Sequence, residues 1–276
     1  MKKLITGAVA LMAFTFSYAQ MGHNKDVTTQ TGDFNKAKIT QKGYKNNNNT
    51  TQDGNKNKAT IEQWNEKNKN VALSDGNENE IKVLQVGKEN DNSTKQYGNK
   101  NKAKTEQWGK NNKVTQLQDG NRNSVYALQC GKSNKAEQKQ YGDRNEASST
   151  QYGDYNDVKQ HQHGDKNKAT AWQNGMRNEI NQHQTGDENI ADAKQTGYDN
   201  KINQDQLGDN NFAKATQLGD RNKISQTQRG DGNSSIDKQT GCDNEIIVFQ
   251  GPGHKDVDCC GPQLPDPRCP HGTPGC

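Results

Sequence analysis

The chain has 276 residues, only 26% of them apolar, and 37 Lys and Arg against 33 Asp and Glu leave a net charge of +4. A mean hydropathy of −1.34 excludes an ordinary apolar core, and the interspersed signs of charge exclude the basic patch that nucleic-acid binding needs. By composition alone the chain would be disordered, so a folded state has to come from order within the sequence.

Residues 1–19 read as a secretory leader. Lys2 and Lys3 open it, Leu4 to Phe16 is apolar, and Ser17-Tyr18-Ala19 ends in small residues, with cleavage expected before Gln20. No later segment is apolar enough to span a membrane. The mature chain is expected to be exported, and soluble or surface-bound.

Residues 20–250 read as one repeat array. Glutamine stands at 30, 41, 52 and 63 and at every eleventh position from 85 to 250, with Ser74 the one lapse. Glycine follows each of these glutamines by two residues from Gly32 to Gly241, Asn65 excepted. Asparagine follows three further on, at all twenty positions from Asn35 to Asn244. The unit is Gln-x-Gly-x-x-Asn-x-(Ala/Ile/Val)-x-x-x, and a fixed period of this strictness marks a repeat architecture. The recurrent residues after Asn35 fall two apart, at Ala37, Ile39 and Gln41, with Lys36, Lys38 and Thr40 between them. That is strand alternation. An eleven-residue helical repeat would space them three or four apart, and glycine in every unit would weaken a helix by about 1 kcal/mol each. Each unit is therefore one strand of about seven residues, and Gly-x-x-Asn is a tight arc.

A doubled period sets the architecture. Gln116, Gln138, Gln160, Gln182, Gln204 and Gln226 recur every 22 residues, and Ala127, Ser149, Ala171, Ala193 and Ala215 hold the same slot in the intervening units. Ala169, Ala191 and Ala213 likewise alternate with Ile180, Ile202 and Ile224. The expected fold is an all-β solenoid of about ten 22-residue coils. Two parallel, in-register strands make each coil, and stacked Gln and Asn ladders fill the interior, every amide satisfied by its copy one coil away. The expected ladder residues include Gln140, Asn145, Gln151, Asn156, Gln162, Asn167, Gln173, Asn178, Gln184 and Asn189, with turn glycines Gly142, Gly153, Gly164, Gly175 and Gly186.

Residues 251–276 form a Cys- and Pro-rich tail that holds all six prolines. The array has none, as central strands require. Cys259, Cys260, Cys269 and Cys276 are candidates for disulfides in an exported chain. His254 and His271 lie among them, but the spacing matches no zinc motif, and no metal or other cofactor is expected. Cys130 and Cys242 are expected as outward thiols beside arcs. Trp64, Val86, Trp108, Cys130 and Tyr152 share one outward slot and are expected to form an exposed column, with Tyr97 and Tyr141 in the equivalent slot of the other strand. His161 and His183 stack one coil apart with His163 near them, and read as an outward polar column.

Neither end of the array shows a capping unit: Gly22 and Asn24 are already in register, and Ile246, Ile247 and Val248 are still strand-like. Open edges on flat strands template further pairing, and head-to-tail stacking does not close, so it yields filaments.

The run Gln140-Tyr141-Gly142-Asp143-Arg144-Asn145-Glu146-Ala147-Ser148-Ser149-Thr150-Gln151 resembles the curlin repeat of curli fibre subunits. The resemblance spans about residues 22–250 and rests on some twenty copies of the motif. It implies a secreted subunit of functional amyloid in the bacterial extracellular matrix, supporting biofilm and adhesion. It also implies as partners the chain itself, a nucleator subunit and an outer-membrane secretion pore. Curli subunits usually carry a pore-targeting segment before the repeats, which this chain does not show, and the tail is unusual for the family. No nucleophile elbow, phosphate loop or His-Glu-x-x-His motif occurs, so no enzyme is expected. Two other readings are a non-polymerising exported solenoid that binds a surface, glycan or ice, and a fibre nucleator or anchor in place of the bulk subunit.

Overall fold

The computed structural model describes residues 14–20 and 22–251. Twenty-two strands, numbered β1 to β22 along the chain, form two sheets of eleven, odd-numbered strands in one and even-numbered strands in the other. No helix occurs among the described residues. Each strand pairs in parallel with the strand two further on. Between β13 (Glu146–Asp154) and β15 (Lys168–Met176), Glu146 meets Lys168 and Gln151 meets Gln173, an offset of 22 residues. The fold is the expected β-solenoid with one 22-residue coil per layer, each layer adding about 4.8 Å to the rod.

The alternation of the sequence becomes the alternation of burial. In β13, Ala147, Ser149 and Gln151 are buried while the residues between them are partly or fully exposed. The two sheets face each other across a thin interior. Ile180, Ile202 and Ile224 from the even sheet pack with Ala171, Ala193 and Ala215 from the odd sheet in a single cluster. Bulky residues on one side meet small ones on the other, which fills the space without voids. Few apolar atoms are available, and they are concentrated where both sheets can use them.

From β3 (Lys36–Tyr44) to β17 (Ile190–Tyr198) the odd-sheet strands are longer than the seven residues expected, while β19 (Phe212–Leu218) and β21 (Ser234–Thr240) keep seven. Both β3 and β17 run to nine. The ladder does not stop at the arc: Gly153 pairs with Gly175 and Asp154 with Met176. Backbone pairing thus carries through part of the turn, because successive arcs stack on each other as the strands do.

The arcs use two left-handed residues. In the unit at 142–145, Gly142 has φ +103° and Arg144 has φ +59°. The residue before asparagine takes this conformation throughout, whether it is Lys100, Tyr155, Glu188 or Arg221. A side chain there costs about 1 kcal/mol or more, so something in each arc must hold it.

The strand β1 (Phe14–Gln20) pairs in register with β3, Phe14 opposite Lys36. It falls almost wholly inside the segment read as a leader, so the backbone of that segment continues the coil by one strand beyond the expected array.

Candidate assembly interface

Most inward glutamines make two contacts at once. Gln140 Nε2 donates to Gln162 Oε1 at 2.8 Å and to the Ser124 carbonyl of the facing strand at 3.1 Å. Gln151 Nε2 donates to Gln173 Oε1 at 3.0 Å and to the Lys135 carbonyl at 2.8 Å. Gln162, Gln173 and Gln184 repeat the pattern, donating to Gln184, Gln195 and Gln206. One side chain therefore ties its strand to the next coil and to the opposite sheet. This is how a buried amide can stabilise a core: donor and acceptor are both occupied.

Asparagine builds its ladder through the backbone as well as from amide to amide. Asn145 Oδ1 accepts the backbone N–H of Asn167 at 2.9 Å, and Asn145 Nδ2 donates to the Gly164 carbonyl at 2.6 Å. Asn156 and Asn167 hold Gly175 and Gly186 in the same way, and Asn178 and Asn189 hold Gly197 and Gly208. Direct amide-to-amide contacts supplement this in places, as from Asn189 to Asn167 at 3.1 Å. The shorter side chain cannot cross the interior, so it clamps the arc of the next coil, side chain to backbone. That clamp is what holds the left-handed residue beside it.

The glycines Gly142, Gly153, Gly164, Gly175 and Gly186 all stand at positive φ. Stacking supplies a second reason for them. A Cβ at Gly142 would lie 2.3 Å from the carbonyl oxygen of Gly164. At the one exception, Asn65 has φ +79°, and asparagine tolerates the left-handed region better than most residues.

Two carboxylates that the repeat motif does not contain close the interior ladders. A third glutamine column runs from Gln116 to Gln226, each Nε2 donating onward. The next residue in that column is Val248, which has no acceptor. Gln226 Nε2 turns instead to Asp237 Oδ2 and to Ser235 Oγ at 3.0 Å across the interior. A shorter column, Asn92 to Asn70 to Asn48, donates the other way and ends on Asp26 Oδ1 at 2.7 Å. Between the two columns, Thr94 and Thr105 hydroxyls lie 3.2 and 3.0 Å from Gln116 Oε1. Counting inward slots through Asp26 and Asp237 would have found both carboxylates.

The lapse at Ser74 leaves a defect. Ser74 Oγ reaches Gln96 Oε1 at 3.3 Å, but Gln52 Nε2 behind it is buried with no partner among the described residues. Ser74→Gln is expected to mend the ladder and raise stability by about 1–2 kcal/mol, measured as a higher urea midpoint at unchanged slope. A fall in the midpoint would show that the slot is too tight for the amide.

The odd-sheet glutamine ladder has unlike ends. Gln41 Oε1 at its start and Gln239 Nε2 at its finish are both buried without partners among the described residues. The ladder thus starts on an acceptor, which lies beneath Ala19 of β1, and finishes on a donor. At the same end as Gln239, β21 (Ser234–Thr240) and β22 (Glu245–Gln250) each have one neighbouring strand, leaving their outer edges open among the described residues. Ile236, Ile247 and Phe249 are exposed there.

The outward column Trp64, Val86, Trp108, Cys130 and Tyr152 stacks in register. Trp108 is exposed, whereas the other four are only half-exposed because each covers its neighbour. The Lys42 ammonium sits 4.5 Å from the Trp64 ring centroid. Tyr97 and Tyr141 share the expected column with Asp119 between them, and Tyr141 packs on His163. Burial, helped by the Glu106 carboxylate, pushes the Tyr126 hydroxyl up to about 12.

His161 and His183 face each other across one coil step, but each has a carboxylate: Glu137 at 3.3 Å from His161 and Asp205 at 3.1 Å from His183. Burial lowers the His161 pKa, and the Asp205 hydrogen bond raises that of His183. No cluster of three metal-binding side chains occurs among the described residues. Cys130 is free. Cys242 is disulfide-bonded, which corrects the expectation of a free outward thiol: it stands in the last arc, next in sequence to the Cys-rich residues. Cys259, Cys260, Cys269 and Cys276 lie outside the described residues.

No protein-family model matches the chain, and no curated protein does either.

Proposed function

We propose that this chain is an exported structural subunit that assembles head-to-tail into curli-like extracellular amyloid fibres. The observation that carries this reading is the pair of unlike ends, with the acceptor of Gln41 at one and the donor of Gln239 at the other. Repetition of the interior bonds at each coil supports it, since a second copy can continue the even-sheet strands in the same register. Resemblance to the curlin repeat is a further support and points to biofilm matrix and cell adhesion as the setting. By the same resemblance, a nucleator subunit and an outer-membrane pore are the partners.

The test is a thioflavin T time course on purified mature protein, with and without seeds. Seeds should abolish the lag, and the fibrils should diffract near 4.7 Å. A flat trace from a monodisperse β-rich monomer would refute the fibre reading and favour a binding rod.

A further inference from the structure

We propose that β22 of one copy pairs in parallel with β2 (Lys25–Thr31) of a second copy, setting Glu245 opposite Lys25 and Gln250 opposite Gln30. This rests on the fibre reading and gives it a register. Within the chain, β20 (Lys223–Arg229) places Lys223 on Glu245 and Gln228 on Gln250. At the other end, β2 places Lys25 on Asn47 and Gln30 on Gln52. Extending both patterns by one coil step brings the two edges together with no shift of register.

The side chains match along this line. Glu245 already pairs with Lys223 at 2.7 Å, and Lys25 of the second copy would give it a lysine on its other side, one coil step away as Lys201 is from Glu179 at 3.1 Å. Two positions on, Ile247 is 70% exposed and Val27 is 43% exposed. Most of that outward column is polar, as at Asn49, Thr115 and Lys159, so an apolar pair at the two ends is what a buried joint would want. The arcs are already shaped for it. His23 and Asp243 occupy corresponding positions and both have positive φ. Asn24 Nδ2 holds the Gly43 carbonyl at 3.1 Å as the interior asparagines hold theirs, so little ordering remains to be done on association. One inner position is a poor match, Ile246 against Asp26, and it makes this step weaker than an interior one. In the odd sheet this register puts β21 two coil steps from β3 of the second copy, and the slot between them is the one that β1 holds, with Ala19 between Gln239 and Gln41. The even-sheet pairing is the same whether or not β1 fills that slot.

Charge favours this direction. Residues 22–130 carry 18 Lys and Arg against 12 Asp and Glu, and residues 131–251 carry 15 against 18. The rod has a positive N-terminal half and a negative C-terminal half, so head-to-tail approach is attractive and head-to-head approach is repulsive.

The test uses the full chain. In the double variant Val27→Cys, Ile247→Cys, copper-catalysed air oxidation should join 27 to 247 between chains in fibres and not in monomers, read by peptide mapping without reduction. Lys25→Glu should slow seeded elongation about tenfold, and adding Glu245→Lys should restore much of the rate. Fibres without the 27–247 link would overturn the register and leave the fibre reading standing. Absence of fibres from the unsubstituted chain would remove both. Residues 252–276 are the competing occupant of the β22 edge. Slow exchange in the monomer of those β22 amides that face away from β20 would show that they cover it, and would overturn the proposal.

Discussion

Gly142→Ala is expected to destabilise the rod by at least about 3 kcal/mol and to suppress fibre formation. Two independent effects add. Gly142 holds φ +103°, where a side chain is strained. Its new Cβ would also stand 2.3 Å from the Gly164 carbonyl oxygen and 2.9 Å from Asp165 Oδ1. The Asp165 contact can move, but the carbonyl belongs to the next coil's backbone and cannot move alone. Coils contact only their neighbours, so the damage should be local, splitting a cooperative rod into two shorter ones. The built-in control is Gly232, which has φ +69° and nothing within 4 Å of a new Cβ. It occupies the slot that holds Asn210 one coil earlier, at φ +57°. Gly232→Asn should therefore change the urea midpoint little. Equal losses at both sites would show that φ alone, and not coil stacking, sets the glycine requirement.

The same contrast shows how far the sequence could be read. Period, strand alternation, parallel register and the inward glutamines all followed from counting, because each repeats at a fixed slot with a fixed residue type. The left-handed residue before each asparagine did not, since Phe34, Lys56, Glu78 and Arg122 have nothing in common as side chains. What they share is the asparagine clamp that follows. Asparagine stands in its expected inward slot and forms a ladder there. Its slot was legible, but whether its amide meets another amide or the backbone depends on reach, which the period does not encode. Asp26 and Asp237 were passed over because a motif built on regularity directs attention away from the places where regularity ends. The disulfide at Cys242 was likewise a property of the last coil alone.

Asn145→Ala separates the clamp from the amide ladder. The substitution removes an acceptor from the Asn167 N–H, 2.9 Å away, and donors from the carbonyls of Gly164 and Tyr141, 2.6 and 3.3 Å away. The Asn167 N–H and the Gly164 carbonyl lie within a stacked arc and have no ready replacement, whereas the Tyr141 carbonyl keeps the Gly164 N–H at 3.0 Å. A buried group left unsatisfied costs about 1–3 kcal/mol, so the loss should be about 3 kcal/mol and assembly should slow with it. Asn145→Asp keeps the acceptor for Asn167 but turns a carboxylate toward the Gly164 carbonyl, and it should be no better than alanine. If the contact were chiefly amide to amide, aspartate would retain half of it and recover part of the stability. Arg144→Ala, one residue away, exchanges one left-handed side chain for another on an exposed arc and should stay within about 0.5 kcal/mol. The ordering Arg144→Ala, then Asn145→Ala level with Asn145→Asp, is the signature of the clamp in urea midpoints. An Asn145→Ala midpoint equal to that of Arg144→Ala would refute it, and with it the account of why asparagine closes every arc from Asn35 to Asn244.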